Sequence, residues 1–265
     1  MKLFPLRIVH RLFAAVSLFT CLSTTALYGE QSSPGLQMIV QPNSIRIGSF
    51  FSGEKITVRA AIPHGYQAAL RILGPREDLS LMRKGRVGGL WMNIQEVHFK
   101  NLPKVFLLWT SDKLSLMEKA DPEGPNRLGY SSVLSGALES ERRGEESLLV
   151  KELIKLKESD RLYHIFEGTI RIKPLAPEVW DQAEAVLDLP AKLYPGSYRL
   201  ELWAGKEGKA RLIQSGDLEV KLVGFAALIS NLAKGKGLWY GILAVLVATF
   251  SGLLIGIVFS SKSGH

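Results

Sequence analysis

The chain holds a single cysteine, Cys21, and it lies inside an N-terminal apolar run. The rest of the chain therefore has no disulfide framework and no thiol chemistry, and a folded domain there must rest on its apolar core. The residues before Cys21, Leu18-Phe19-Thr20, are bulkier than a lipoprotein signal carries, which argues against lipidation. Histidine is scarce, with five in 265 residues. Of those between the apolar ends, His64, His98 and His164, none stands at metal-ligand spacing from another His or Cys, so no metal site is expected. The chain also lacks a G-x-S-x-G elbow, a motif that places paired carboxylates, and a phosphate-cradling glycine loop. No catalytic constellation is left. The expectation is a protein without cofactor and without enzymatic activity.

The two ends carry the clearest signals. Lys2, Arg7 and Arg11 precede an apolar stretch, residues 12–22, followed by the small residues Ser23, Thr24, Thr25 and Ala26. That order is a secretory signal peptide over residues 1–29, with an uncleaved anchor as the alternative. At the other end, residues 237–259 contain no charge and are long enough to cross a bilayer, with Trp239 and Tyr240 where an interfacial aromatic belt sits. A signal ahead of one span places residues 30–224 outside the cytoplasm, 225–236 as a linker and 260–265 as a cytoplasmic tail.

Between the ends the dominant period is two. Ile56, Val58, Ala60 and Ile62 alternate with Lys55, Thr57, Arg59 and Ala61, as in a half-buried strand. The same alternation recurs at Leu36/Met38/Val40, Ile45/Ile47, Leu70/Ile72, Tyr198/Leu200/Leu202 and Leu218/Val220/Leu222, while residues 105–109 are apolar on both faces, as in a central strand. Turn residues fall between the runs at Pro42-Asn43, Ser52-Gly53, Gly74-Pro75, Pro195-Gly196 and Gly205 to Gly208. The expected fold is mainly β: an immunoglobulin-like antiparallel β-sandwich, whose Pro195-Gly196-Ser197-Tyr198 segment fits the entry to a late strand. One stretch breaks the period. Leu148, Leu149, Leu153 and Leu156 give residues 145–161 an amphipathic helical pattern, with a second short helix near residues 113–119, so a helical insertion is expected over about 112–161.

The formal net charge is +8 and the pI about 9.5. Cations and acids are interspersed, which speaks against nucleic acid and leaves anionic lipid or an acidic partner face. The most unusual local chemistry is the run from Arg83 to Asn93. Arg83, Lys84 and Arg86 stand beside glycines and are closed by Trp91 and Asn93, a set able to cradle an anion or grip acidic groups on a partner. The competing reading is a solvated basic hairpin whose tryptophan tucks into the core. In the membrane span, Ala244, Ala248, Gly252 and Gly256 recur every four residues, a stripe of small side chains that lets a second helix approach closely, from another copy or a different protein.

Taken together, Phe51-Ser52-Gly53-Glu54, Gly74-Pro75, the Arg83 to Asn93 run, Pro190 to Tyr198 and Leu238-Trp239-Tyr240-Gly241 resemble the uncharacterised family of alphaproteobacterial-type transmembrane proteins. The resemblance runs from about Gln41 to Phe259. It implies a protein of the bacterial inner membrane, with a signal, a periplasmic domain and a terminal anchor, and it supplies no catalytic residues. Some members are encoded near sulfite-exporter-type permeases, which implies an accessory role beside an integral membrane protein. The expected function is thus a non-enzymatic interaction subunit of a membrane transport or envelope complex, with a small-ligand or anion-binding module as the alternative.

Overall fold

The computed structural model describes residues 37–118, 127–139, 146–175, 179–235 and 237–260. The expected signal segment, residues 1–29, and the tail beyond residue 260 lie outside the described residues.

The apolar alternation builds the strands. In β3 (Glu54–Pro63), Ile56, Val58, Ala60 and Ile62 are buried while Lys55 and Arg59 are exposed. Antiparallel to it, β11 (Trp180–Leu189) buries Asp181, Ala183, Ala185, Leu187 and Leu189. With β1 (Ile39–Gln41) and β10 (Arg171–Leu175) these make a four-stranded sheet in the order β1-β3-β11-β10. A six-stranded sheet runs β2-β13-β12-β4-β7-β9, formed by β2 (Ser44–Ile47), β13 (Lys209–Leu222), β12 (Gly196–Lys206), β4 (Gln67–Leu73), β7 (Phe106–Thr110) and β9 (Tyr163–Phe166). The inward residues of both sheets join one hydrophobic cluster, with Leu70, Ile72, Leu107, Leu200 and Leu202 from the six-stranded sheet. The chain passes from β1 in one sheet to β2 in the other across a cis Gln41–Pro42 bond.

The expected pairing was antiparallel throughout. The structure differs at two places, since β2 runs parallel to β13 and β9 parallel to β7. Both β2 and β9 are outermost strands, and each enters its sheet from a segment that has first crossed over, from the other sheet or from the insertion. Tyr198, near the start of β12, is buried and donates its hydroxyl to the carbonyl of Tyr194 at 2.8 Å while accepting the Tyr194 N–H at 3.0 Å. This ties the incoming loop to the strand.

The six-stranded sheet is covered on both faces, which is why Ala68 to Ile72 in β4 and all of β7 are buried. Its outer cover is the helical insertion: α1 (Leu114–Met117), α2 (Ser131–Leu134), β8 (Leu138–Glu139) and α3 (Glu146–Ser159). Met117 packs over Gly205 at one end of the sheet, where a Cβ would come within 3.0 Å of it. Further along, Arg71 Nη1 donates to the Arg127 carbonyl and to Ser132 Oγ, both at 3.0 Å. The Tyr130 ring meets Phe106 edge-on at 5.2 Å, and Lys157 of α3 pairs with Glu77 at 2.8 Å. Beneath this cover lies a buried ion pair. Arg71 donates through Nε and Nη2 to Glu201 Oε2 at 2.8 and 2.6 Å, Trp203 Nε1 donates to the same oxygen at 3.1 Å, and the guanidinium lies 4.8 Å from the Trp203 ring.

Two elements depart from the sequence reading. Residues 76–103 form a long hairpin, β5 (Arg76–Val87) and β6 (Leu90–Pro103), which with β8 makes a third sheet. The segment expected as a linker is a helix, α4 (Gly224–Gly235), and it is followed by α5 (Gly237–Ser260). Among the described residues, α5 is the helix long and apolar enough to cross a membrane, and its spanning window, Gly237–Ile257, is entirely unburied.

Candidate interaction surface

The hairpin grows directly out of the six-stranded sheet. The β4–β7 pairing continues through Gly74 N–H to the Val105 carbonyl and Lys104 N–H to the Pro75 carbonyl, both at 2.8 Å, and on into Arg76 opposite Pro103. Gly74 lets the strands pack closely at this junction, since a Cβ would stand 3.0 Å from Val105 N and 3.1 Å from Tyr198 Cε1. Near the base, Leu79 and Leu81 face Phe99 and Val97, and β8 pairs with Phe99 through Leu138. Farther out, Val87, Leu90, Trp91 and Met92 are exposed among the described residues. The turn is Gly88-Gly89, with φ of 60° and 86°, the left-handed pair that a tight hairpin turn demands.

Cross-strand register sorts the distal side chains. Lys84 stands opposite Asn93 and Arg86 opposite Trp91, with the Arg86 guanidinium 5.9 Å from the Trp91 ring centre. Because neighbours along a strand point to opposite faces, Arg83, opposite Gln95, falls on the other face. A bulge at Arg83/Lys84 leaves Ile94 as the extra residue, and its side chain fills the space over Gly85. That second face carries Val87, Leu90, Met92 and Ile94, all about half exposed or more. The structure thus brings together Lys84, Arg86, Trp91 and Asn93, and separates Arg83 from them. Trp91 does not tuck into a core. It is 70% exposed, in the distal part of the ribbon, where β6 is paired with β5 alone among the described strands. From residue 79 to 95 the hairpin has no acidic residue, the nearest being Asp78 and Glu96.

Sequence reasoning found the cations and the tryptophan but missed the apolar face. The Gly-Gly pair flanked by Val87 and Leu90 is the hairpin signal that could have exposed it.

Other polar groups are engaged internally. Buried Asp181 accepts from Gly65 N–H at 3.0 Å and contacts His64 Nδ1 at 2.9 Å, and the His64 bond holds its carboxyl below the usual carboxylate range. Burial pushes the Tyr163 and Tyr130 phenols up, and the hydrogen bond from Tyr130 to Glu158 adds to the shift of Tyr130. A cleft of about 470 Å³ opens between β9 and the loop after β11, floored by Leu107, Phe166, Leu189 and Pro190 with His164 and Arg161 beside them. The Lys192–Asp160 ion pair, 2.7 Å, closes one side of it. Among the described residues no group of three His, Cys, Asp or Glu is placed to hold a metal ion. In α5 the stripe of Ala244, Ala248, Gly252 and Gly256 is exposed, and a Cβ at either glycine would meet nothing within 4 Å.

A β-rich domain followed by a helix fit to span a bilayer defines a membrane-anchored protein. The chain belongs to the family described as "Putative transmembrane protein (Alph_Pro_TM)", whose model matches residues 36–261 and whose function is unknown. Comparison with the curated proteins gives no match.

Proposed function

We propose that the chain is a non-enzymatic interaction subunit of a membrane transport or envelope complex, anchored in the bacterial inner membrane with its domain in the periplasm. The observation that carries this reading is the anchor: a span whose window is entirely unburied and along which Ala244, Ala248, Gly252 and Gly256 stand exposed every fourth residue. The N-terminal signal pattern supports the orientation. The strand order, the parallel β2–β13 pair and the Tyr198 corner support an immunoglobulin-like sandwich, a frame suited to displaying loops. A single anchor keeps the domain at high effective concentration beside an integral membrane companion, an export permease being one such partner. The small-residue stripe of α5 offers that companion, or a second copy, a close-packing face.

The second reading, a small-ligand or anion-binding module, is favoured by the cleft beside His164 and Arg161 rather than by the hairpin, where Arg83 stands apart from Lys84 and Arg86.

Affinity capture of the full chain from gently solubilised membranes tests the leading reading. A stoichiometric integral membrane protein or a second copy is expected, and it should be lost when Gly252 and Gly256 are changed to isoleucine. Capture of the chain alone, or with a retained small anion, refutes it.

A further inference from the structure

We propose that the hairpin tip, residues 83–94, seats in the anionic headgroup layer of the bilayer that holds α5. This rests on the membrane-anchored reading above and names what the tip touches.

Position comes first. Pro75 at the hairpin base abuts Gly196, where a Cβ would stand 2.6 Å from Pro75 Cγ. Gly196 pairs with Val220, and β13 ends two residues later at Leu222, from which the chain passes into α4 and α5. The hairpin and the anchor therefore leave the same end of the sandwich. Reach comes second. The ribbon from Pro75 to Gly88 spans roughly 40 Å at ~3.3 Å per residue, and α4 spans roughly 18 Å at ~1.5 Å per residue. The tether is shorter than the ribbon, so the bilayer lies within the tip's range.

Chemistry decides the occupant. Apolar side chains stand on both faces of the tip, Trp91 on one and Val87, Leu90, Met92 and Ile94 on the other. A groove on a protein covers one face of a ribbon, whereas a fluid headgroup layer surrounds both. Tryptophan prefers that layer, and cations beside it meet lipid phosphates with no acid on the tip to oppose them. Helix α4 continues the same surface: Phe225 and Leu228 are exposed on a helix that directly precedes the span.

The test uses the full chain in nanodiscs, with Cys21→Ser and a single environment-sensitive fluorophore attached through Leu90→Cys. The control carries the label through Glu207→Cys, in the β12–β13 turn at the opposite end of the sandwich. In discs containing phosphatidylglycerol, quenchers on shallow acyl positions should quench the label at position 90 several-fold more than at 207, with blue-shifted emission. Lys84→Glu with Arg86→Glu, or high salt, should bring position 90 down toward the control. An unchanged unfolding midpoint in the charge variant confirms that the domain is intact. Quenching at position 90 no greater than at 207 overturns the inference. So does shielding that appears only when a captured protein companion is added, which assigns the tip to a protein. Because the discs hold only the chain and lipid, this result stands apart from whether any companion is captured.

Discussion

Changing Glu201 to glutamine keeps the shape of the side chain and removes its charge. Arg71 and Glu201 lie directly opposite each other on β4 and β12, each less than a tenth exposed, under the helical insertion. The amide still accepts at one oxygen, but the guanidinium is left buried without a counter-charge. Removing one partner of such a pair costs about 3–5 kcal/mol, and the retained acceptor places Glu201→Gln near the lower end. At about 3 °C per kcal/mol for a domain of this size, the unfolding midpoint should fall by about 9 °C. Arg71 also holds the carbonyl of Arg127 and the hydroxyl of Ser132, so amide exchange over residues 127–134 should quicken by more than it does in β3. Thermal unfolding of the full chain in detergent, followed by tryptophan fluorescence, reads the first effect, and exchange mass spectrometry reads the second. The joint replacement Arg71→Met with Glu201→Leu should recover part of the loss, since the uncompensated charge is gone while Trp203 Nε1 and the Arg127 carbonyl still lose their partners. A Glu201→Gln chain within about 1 kcal/mol of the original, or a joint variant worse than the sum of the single ones, refutes the reasoning.

Two further outcomes follow from single side chains. Tyr198→Phe removes both hydrogen bonds to Tyr194 and should lower stability by about 1–3 kcal/mol, read as a shifted urea midpoint at unchanged slope. The native phenol is pushed up to about 12 by burial, so its absorbance change should come late in an alkaline titration. Asp181 has a folded pKa below its unfolded one, so its stabilisation is present above about 4 and is lost as pH falls through the folded value. Asp181→Asn should therefore be less stable than the original chain at neutral pH, with the gap closing in acid; a gap that stays constant into acid would contradict the assigned bonds.

Strands whose buried face is rich in Ile and Val were legible in the sequence. β3 is the clearest case, with Ile56, Val58 and Ile62 inward against charged neighbours. Its partner β11 was not, because its inward positions are Asp181, Ala183 and Ala185, residues that carry little strand preference and take their place only against β3. Helix α3 was legible from its leucines, within a residue or two of its ends. By contrast α4 read as a linker because glycines flank it and it abuts the span, although Phe225, Leu228, Ile229 and Leu232 recur at helical spacing within it. The candidate surface was half legible. The cations near Gly85 and Trp91 stood out, but only pairing shows which residues share a face, and a bulge between Arg83 and Lys84 resets that pairing.

The insertion over the six-stranded sheet has one more consequence. By position it resembles a loop elaboration, spliced between β7 and β9 and tempting to trim. Yet Phe106 packs on its Tyr130 and Arg71 binds its Arg127 and Ser132, while Glu201 and Trp203 lie buried with Arg71, and all four come from central strands of the sheet. Excising it would not yield a smaller sandwich. It would strip bare an apolar sheet face with an ion pair at its centre, a surface that seeks another copy of itself. The segment is a wall of the domain, and sheet and insertion stand or fall as one unit.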